Sequence, residues 1–351
     1  MLSSLRVVFL GGVIAGLLFV SGSARAQGVD QVFVAKGPPS RGTIADAGMS
    51  RDKVQLDSGG AGRDIWVNEI VRILYKDEPA ELNSGRNHAI QRNYSQGLAE
   101  LKKLDGRRVD RALVMQDIEY YRALCQCKLA MSEGGDKAAA SAAMYSFVSK
   151  APQNYHFYDA AEVLGDLAMA SGMWADAVKY YGPIAGAPWP DYQMRANNAL
   201  GRANLGEKQF SEALAKFQAV IGADASTPEA IKQKNLAHVG RATCLAETGK
   251  APEAINILQD LINKNDPQDA ALFARTYNAL GRCYVKQGKT KEAVLALLHT
   301  DVLFFNEADA HAEALYHLSK LWSEVNKSDR ATAARATLKQ RYAGSIWATL
   351  E

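Results

Sequence analysis

Residues 201–218 read GRANLGEKQFSEALAKFQ and residues 281–298 read GRCYVKQGKTKEAVLALL, nearly one pattern stated twice, 80 positions apart. Such a chain is built from stacked copies of a small unit that cannot bury its apolar face alone. The search outward finds a small residue recurring as Gly165, Gly201, Ala242, Gly281 and Ser319, at intervals of 36, 41, 39 and 38 residues. Twelve residues after each stands an alanine: Ala177, Ala213, Ala254, Ala293 and Ala331. Four further on come Tyr181, Phe217, Leu258 and Leu297, with Arg335 breaking the row. Leu164, Leu200, Leu280 and Leu318 directly precede the small residue, with Arg241 the exception.

Each feature has a steric cause. A small residue in one helix and an alanine in the next let two antiparallel helices approach closely, and the large residue one turn on fills the gap to the next pair. Apolar positions within a unit fall at helical spacing. Turn signals lie between the helices at Gly172, Gly206, Gly249-Lys250, Gly288-Lys289 and Asn326-Lys327. Pro183, Pro188, Pro190, Pro228 and Pro267 lie between or near the ends of units, where a helix must stop.

The pattern carried by Leu280, Gly281, Tyr284, Gly288, Ala293 and Leu297, and by their counterparts, resembles the tetratricopeptide repeat family, whose helix–turn–helix unit is about 34 residues long. The spacing here is longer, and the unit around Ala293 lacks the family's terminal proline. The resemblance is strong over Tyr155–Glu351. Upstream it is weaker, through Gly135, Ala140, Met144, Phe147 and Pro152, then Tyr94, Gly97, Leu98 and Leu101. It implies a mostly α fold, a solenoid of about six helix–turn–helix units over residues 79–351.

The first 78 residues differ. Arg6, the apolar run Val7–Val20 and Ala24-Arg25-Ala26 read as a signal peptide over residues 1–26, cleaved near Ala26. The 14-residue run is short for a bilayer span, which needs roughly 20 apolar residues. The expected product is exported to the periplasm or beyond, with no stable membrane insertion; a retained anchor is the alternative. Without Arg6 and Arg25, 39 of the 41 basic side chains remain against 38 acidic ones, a balance that suggests no nucleic-acid partner. Over residues 27–78, short β-branched and aromatic runs (Val32–Val34, Gly42–Ile44, Lys53–Leu56, Ile65–Tyr75) alternate with Gly, Pro, Ser and Asp. They read as four or five strands of a small β-rich module, loosely SH3-like or Sm-like, packed on the first helices.

Chemistry-bearing motifs are scarce. Gly288-Lys289-Thr290 resembles the end of a phosphate-binding loop, but Cys283 stands where that loop needs glycine, and a helix precedes it. Six scattered histidines contain no HExxH, and no GxSxG occurs. Cys125, Cys127, Cys244 and Cys283 read as buried free thiols, because their helical placement does not suit a disulfide. The chain therefore reads as non-enzymatic, with no cofactor and no metal.

One constellation stands out: Asn-Ala-Leu-Gly-Arg occurs at Asn198–Arg202 and again at Asn278–Arg282. Asn and Arg four apart share a helix face. The resemblance implies that Asn198, Arg202, Asn278 and Arg282 line a concave groove, where Arg can grip a carboxylate with two parallel bonds and Asn can bond a peptide main chain. The same slots hold Glu162 and Asp166, Val239 and Thr243, and Tyr316 and Lys320, grading from acidic to basic. The plain alternative is that Arg202 and Arg282 pair with neighbouring acids. Trp189, in a loop crowded with Trp174, Tyr180, Tyr181 and Tyr192, is a candidate interface anchor, or else a filler between units.

The expected function is a protein–protein interaction scaffold of the cell envelope, holding a peptide or protein segment in its groove; its oligomeric state is unknown. A second reading is a ligand-binding or catalytic accessory with a polar pocket where the β module meets the helices. Convergent polar groups with shifted pKa values there would favour it, and a plain apolar junction would favour the scaffold. A third is a self-associating structural envelope component.

Overall fold

The computed structural model describes residues 28–60 and 62–350; the signal peptide expected over residues 1–26 lies outside them. Among the described residues five strands come first: β1 (Asp30–Val34), β2 (Ser40–Gly42), β3 (Lys53–Asp57), β4 (Gly62–Trp66) and β5 (Ile70–Leu74). They form a three-stranded sheet in the order β2-β1-β5 and a β3-β4 hairpin, all antiparallel, joined by a bridge between Thr43 and Asp57. Alternation sets the buried face: Val54 and Leu56 of β3 are buried while Lys53, Gln55 and Asp57 are exposed.

Fourteen helices follow among the described residues, as seven antiparallel pairs: α1 (Ala80–Ile90) with α2 (Tyr94–Lys102), α3 (Ala112–Glu133) with α4 (Lys137–Lys150), α5 (Phe157–Ala170) with α6 (Trp174–Ala185), α7 (Pro190–Gly206) with α8 (Phe210–Ile221), α9 (Pro228–Glu247) with α10 (Ala251–Lys264), α11 (Ala270–Lys286) with α12 (Thr290–Leu303), and α13 (Ala308–Glu324) with α14 (Ser328–Arg341). That is one pair more than the sequence suggests. The first pair follows the same spacing with glycine in place of the alanine: Gly85, Gly97 twelve residues on, then Leu101 four further. A Cβ on Gly85 would lie 2.5 Å from Leu101 Cγ.

The five alanines at the fixed offset are all buried, four of them with no exposed surface and Ala331 at 6%. The large residue behaves differently from expectation. It packs back onto the small residue of its own unit: a Cβ on Gly165 would meet the Tyr181 ring at 2.4 Å, and on Gly201 the Phe217 ring at 2.6 Å. Phe217 also reaches the next unit, where a Cβ on Gly240 would meet it at 2.3 Å. One aromatic ring thus bolts three helices together.

Left-handed turn residues end the first helices at Gly172, Gly249 and Gly288, as glycine permits, but at Lys208 and Asn326 in two other units. Gly206, read as a turn signal, is instead the last residue of α7. Its missing side chain makes room for Trp174, whose ring a Cβ would meet at 2.4 Å.

The β module and the first helices share one core, running from Val32, Val54 and Ile73 through Leu82 and Ile118 to Leu164. Arg111 of the α3 N-cap fastens the two by donating two hydrogen bonds to Asp30 of β1, at 2.6 and 2.7 Å, and donates to the Ile44 carbonyl. At the far end, the segment after α14 returns to the start of the array. Trp347 packs on Tyr316 and His317 of α13, while the backbone at Gly344 runs over the Ala130 and Met131 carbonyls of α3.

Two substitutions test this packing by chemical denaturation. Gly201→Ala drives a methyl into the Phe217 ring and should destabilise by about 1–3 kcal/mol. Lys208→Gly relieves a left-handed side chain and should stabilise by about 1 kcal/mol.

Candidate functional site

The first helices of the units line the inside of the curve. A recess of about 240 Å³ opens there, walled by α7, α9, α11 and α13, and four arginines face it: Arg195, Arg202, Arg275 and Arg282. Extending the repeated pentapeptide leftward explains this. Arg195-x-x-Asn198-x-x-x-Arg202 on α7 and Arg275-x-x-Asn278-x-x-x-Arg282 on α11 are the same motif. Positions i, i+3 and i+7 share one helix face, and five of the six side chains line the recess, Asn278 being bonded to α13 instead. The pentapeptide alone misses Arg195 and Arg275.

The amides knit units together. Asn198 Nδ2 donates to the Gln233 carbonyl and side-chain oxygen of α9, both at 2.9 Å. Asn278 Nδ2 donates to the Ala310 carbonyl of α13 at 2.7 Å and to Glu313 at 3.1 Å. Both Oδ1 atoms are buried and unpaired, leaving an acceptor, not a donor, free at each site.

The arginines divide into paired and unpaired. Arg282 bridges Glu247 at 3.1 Å and Glu313 at 3.4 Å. Burial alone would lower its pKa, but those two carboxylates raise it. Arg195 reaches Glu162 at 3.2 Å and lies over the Tyr192 ring. Among the described residues, Arg202 and Arg275 make no hydrogen bond or close ion pair, although the charges of Asp309, Glu313 and Glu307 act on Arg275. Across the recess, the Arg202 charge, with burial, drives the Arg275 guanidinium down to about 10 against the opposing pull of Asp309, Glu313 and Glu307. The cause lies in the unit between them: α9 offers Val239 and Thr243 at its groove slots, so no acid stands between the two arginines, and the carboxylates that act on Arg275 lie on the α13 side. Two like charges held together in a partly buried recess make it electropositive.

The expected acidic-to-basic grading is only half present. Glu162 on α5 is pushed up to about 7, burial acting first and Asp166 and Asp159 adding, over the opposing charges of Arg195 and Lys128. The positive charge peaks at α7 and α11, and Glu313 on α13 then reverses it. The Tyr316 slot is covered by Trp347 of the chain's own C-terminal segment. Trp189 is half-buried rather than free: its indole rests edge-on against Tyr192 and Tyr158, centroids 5.0 and 5.9 Å away, filling the space between α5 and α7.

A second polar cluster lies where β5 meets α1, α3 and α5. Arg86 has no exposed surface and donates to both Glu78 oxygens, at 2.8 and 2.9 Å, and to the equally buried Asp117 at 3.1 Å. His156 Nε2 lies 3.5 Å from Asp117, its ring stacked 3.6 Å from Tyr120. Burial would lower the Arg86 pKa, but the Glu78 hydrogen bonds and the Glu78 and Asp117 charges hold it well above its ordinary value. Burial pushes up the Tyr75, Tyr120 and Tyr155 hydroxyls. The junction is therefore polar, not plainly apolar, yet its charges are turned on one another. Sequence reasoning misses it because Arg86, Asp117 and His156 are distant in the chain.

All four cysteines are free and buried, as expected. Among the described residues no metal-ligating cluster occurs, and no helix is long and apolar enough to cross a membrane.

No protein-family model matches the chain, and no curated protein sequence does. Solved structures do. A tetratricopeptide repeat protein from Parabacteroides merdae aligns with a TM-score of 0.55 at 16% identity, over 74% of this chain and 91% of that one. NprR in complex with its cognate peptide NprX aligns with a TM-score of 0.52 at 14% identity, over 77% and 81%. A Rap protein complexed with Competence and Sporulation Factor aligns with a TM-score of 0.50 at 14% identity, over 76% of each. The chain has the tetratricopeptide-repeat fold.

Arg202→Ala and Arg275→Ala should each leave stability within about 0.5 kcal/mol, since neither side chain is paired. Arg282→Ala leaves Glu247 with Lys286 and Glu313 with the Asn278 amide, and should lose about 1 kcal/mol; urea midpoints separate the cases. Glu162 ordinarily titrates at 4.5 and here at about 7, so in that window the folded state holds a proton the unfolded chain has released. Stability falls as pH rises from 4.5 to 7 and levels above. Glu162→Gln removes that slope, so the variant should gain on the native chain between pH 5 and pH 7.

Proposed function

We propose that this protein is a non-enzymatic interaction scaffold of the cell envelope whose groove holds an acidic or C-terminal peptide segment. The observation that carries this reading is the unpaired Arg202–Arg275 couple in the recess. A carboxylate placed between two guanidiniums relieves their repulsion and accepts charge-assisted bonds from both. Arg282, first read as a partner in this grip, is already spent on Glu247 and Glu313; Arg275 takes its place. NprR, a protein of the same fold, has been solved with a cognate peptide. The envelope setting rests on the leader-like first 26 residues.

The buried Arg86–Glu78–Asp117 cluster favours the second reading, a ligand-binding or catalytic accessory at the β-module junction. It weighs less because its charged groups are shut from solvent by their own partners.

Peptides with acidic C-termini, each as the free acid and the amide, test the groove by fluorescence anisotropy. The free acids should bind more tightly, and Arg202→Ala with Arg275→Ala should weaken them at least about tenfold, the scale of one lost charge-assisted bond. Equal affinity for acid and amide, or undiminished binding by the folded double variant, removes the carboxylate reading.

A further inference from the structure

The two arginines at the centre of the recess stand over an apolar floor. The face of α9 that lies between Arg202 and Arg275 presents Leu236, Val239, Gly240 and Thr243, at positions i, i+3, i+4 and i+7. Leu205, one turn beyond Arg202, continues this floor on α7. Leu236 and Leu205 are only half-buried, so both keep apolar surface uncovered. The polar side chains beside them are engaged within the protein. Thr243 Oγ1 donates to the Val239 carbonyl at 3.0 Å, Gln233 Nε2 donates to Glu229 at 2.8 Å, and the Asn198 amide is given to Gln233. Arg195 is matched by Glu162, and Arg282 by Glu247 and Glu313. What stays open to a guest is two guanidiniums above an apolar strip.

We infer that the recess reads the last residue of a peptide, holding its α-carboxylate between Arg202 and Arg275 and a compact apolar side chain, such as that of leucine, against Leu236, Val239 and Leu205. This rests on the carboxylate reading above and narrows it, from any acidic or C-terminal segment to a free C-terminus whose last residue is apolar. Size sets one limit. The recess holds about 240 Å³, against the roughly 150 Å³ of an apolar cavity that takes up benzene, which is room for one side chain and its carboxylate. Charge sets the other. Asp309, Glu313 and Glu307 already pull on Arg275, so a single carboxylate completes the balance. The second carboxylate of a terminal Asp or Glu would be desolvated on the α9 strip with no donor to receive it. A terminal leucine gains twice, through charge-assisted bonds at one end and apolar burial at the other.

Labelled peptides alike except for their last residue, Leu, Gly or Asp, each as free acid and as amide, test this by fluorescence anisotropy with the full chain. The Leu acid should bind at least about tenfold more tightly than the Gly acid or the Asp acid, the scale of a few buried methylenes. Leu236→Asn, with its helix content checked by circular dichroism, should erase the preference for Leu over Gly; Val239→Thr, a smaller change, should reduce it. Arg202→Ala with Arg275→Ala should instead erase the preference for acid over amide. Acids favoured over amides with Leu, Gly and Asp alike, or with Asp tightest, overturn this inference and leave the carboxylate reading standing. Acid and amide bound equally overturn both. A folded Leu236→Asn variant that still prefers Leu to Gly overturns the placement of the side chain on α9.

Discussion

Everything in this fold depends on how closely two helices can approach, and that is decided by what is missing from one of them. Where Gly165, Gly201 and Gly281 carry no side chain, Tyr181, Phe217 and Leu297 take the space. The contact sets the spacing within a hairpin, and through Gly240 it also sets the spacing between hairpins. A stack held this way presents its first helices inward at a regular interval. Residues recurring at one register position therefore meet across the groove even when two units apart.

That geometry turns a sequence repeat into an electrostatic conflict. The same Arg-x-x-Asn-x-x-x-Arg face on α7 and α11 would be neutralised everywhere if each neighbour supplied acids. Glu162 on one side, and Glu247 and Glu313 on the other, satisfy the outer arginines. The inner two confront each other over Val239 and Thr243. The asparagines between them hold the walls in place through Gln233 and Ala310, so the recess cannot easily collapse to separate the charges.

The sequence makes the helix pairs plain because steric rules leave local marks: a glycine, an alanine twelve residues on, a bulky residue after that. The first pair is marked by Gly85, Gly97 and Leu101 as clearly as any, but α3 carries Lys128 twelve residues before Ala140 and breaks the series between them. Turn chemistry is less legible. Gly206 looks like a stop and is a packing cavity for Trp174, while the real left-handed residue is Lys208. The groove arginines are half legible, since the motif is visible but the partners that silence Arg282 and Arg195 lie on other units. The junction cluster leaves no mark at all, because Arg86, Asp117 and His156 each look ordinary in their own helix.

The returning C-terminal segment changes the mechanics of the whole stack. An open coil of hairpins behaves as a spring whose pitch responds to whatever it grasps. Here Trp347 is wedged on α13 while Gly344 and its neighbours lie against the end of α3. That tie-rod joins the far turn of the coil to the near one. Stretching would have to break it before the bore could widen, so the cavity is dimensioned in advance.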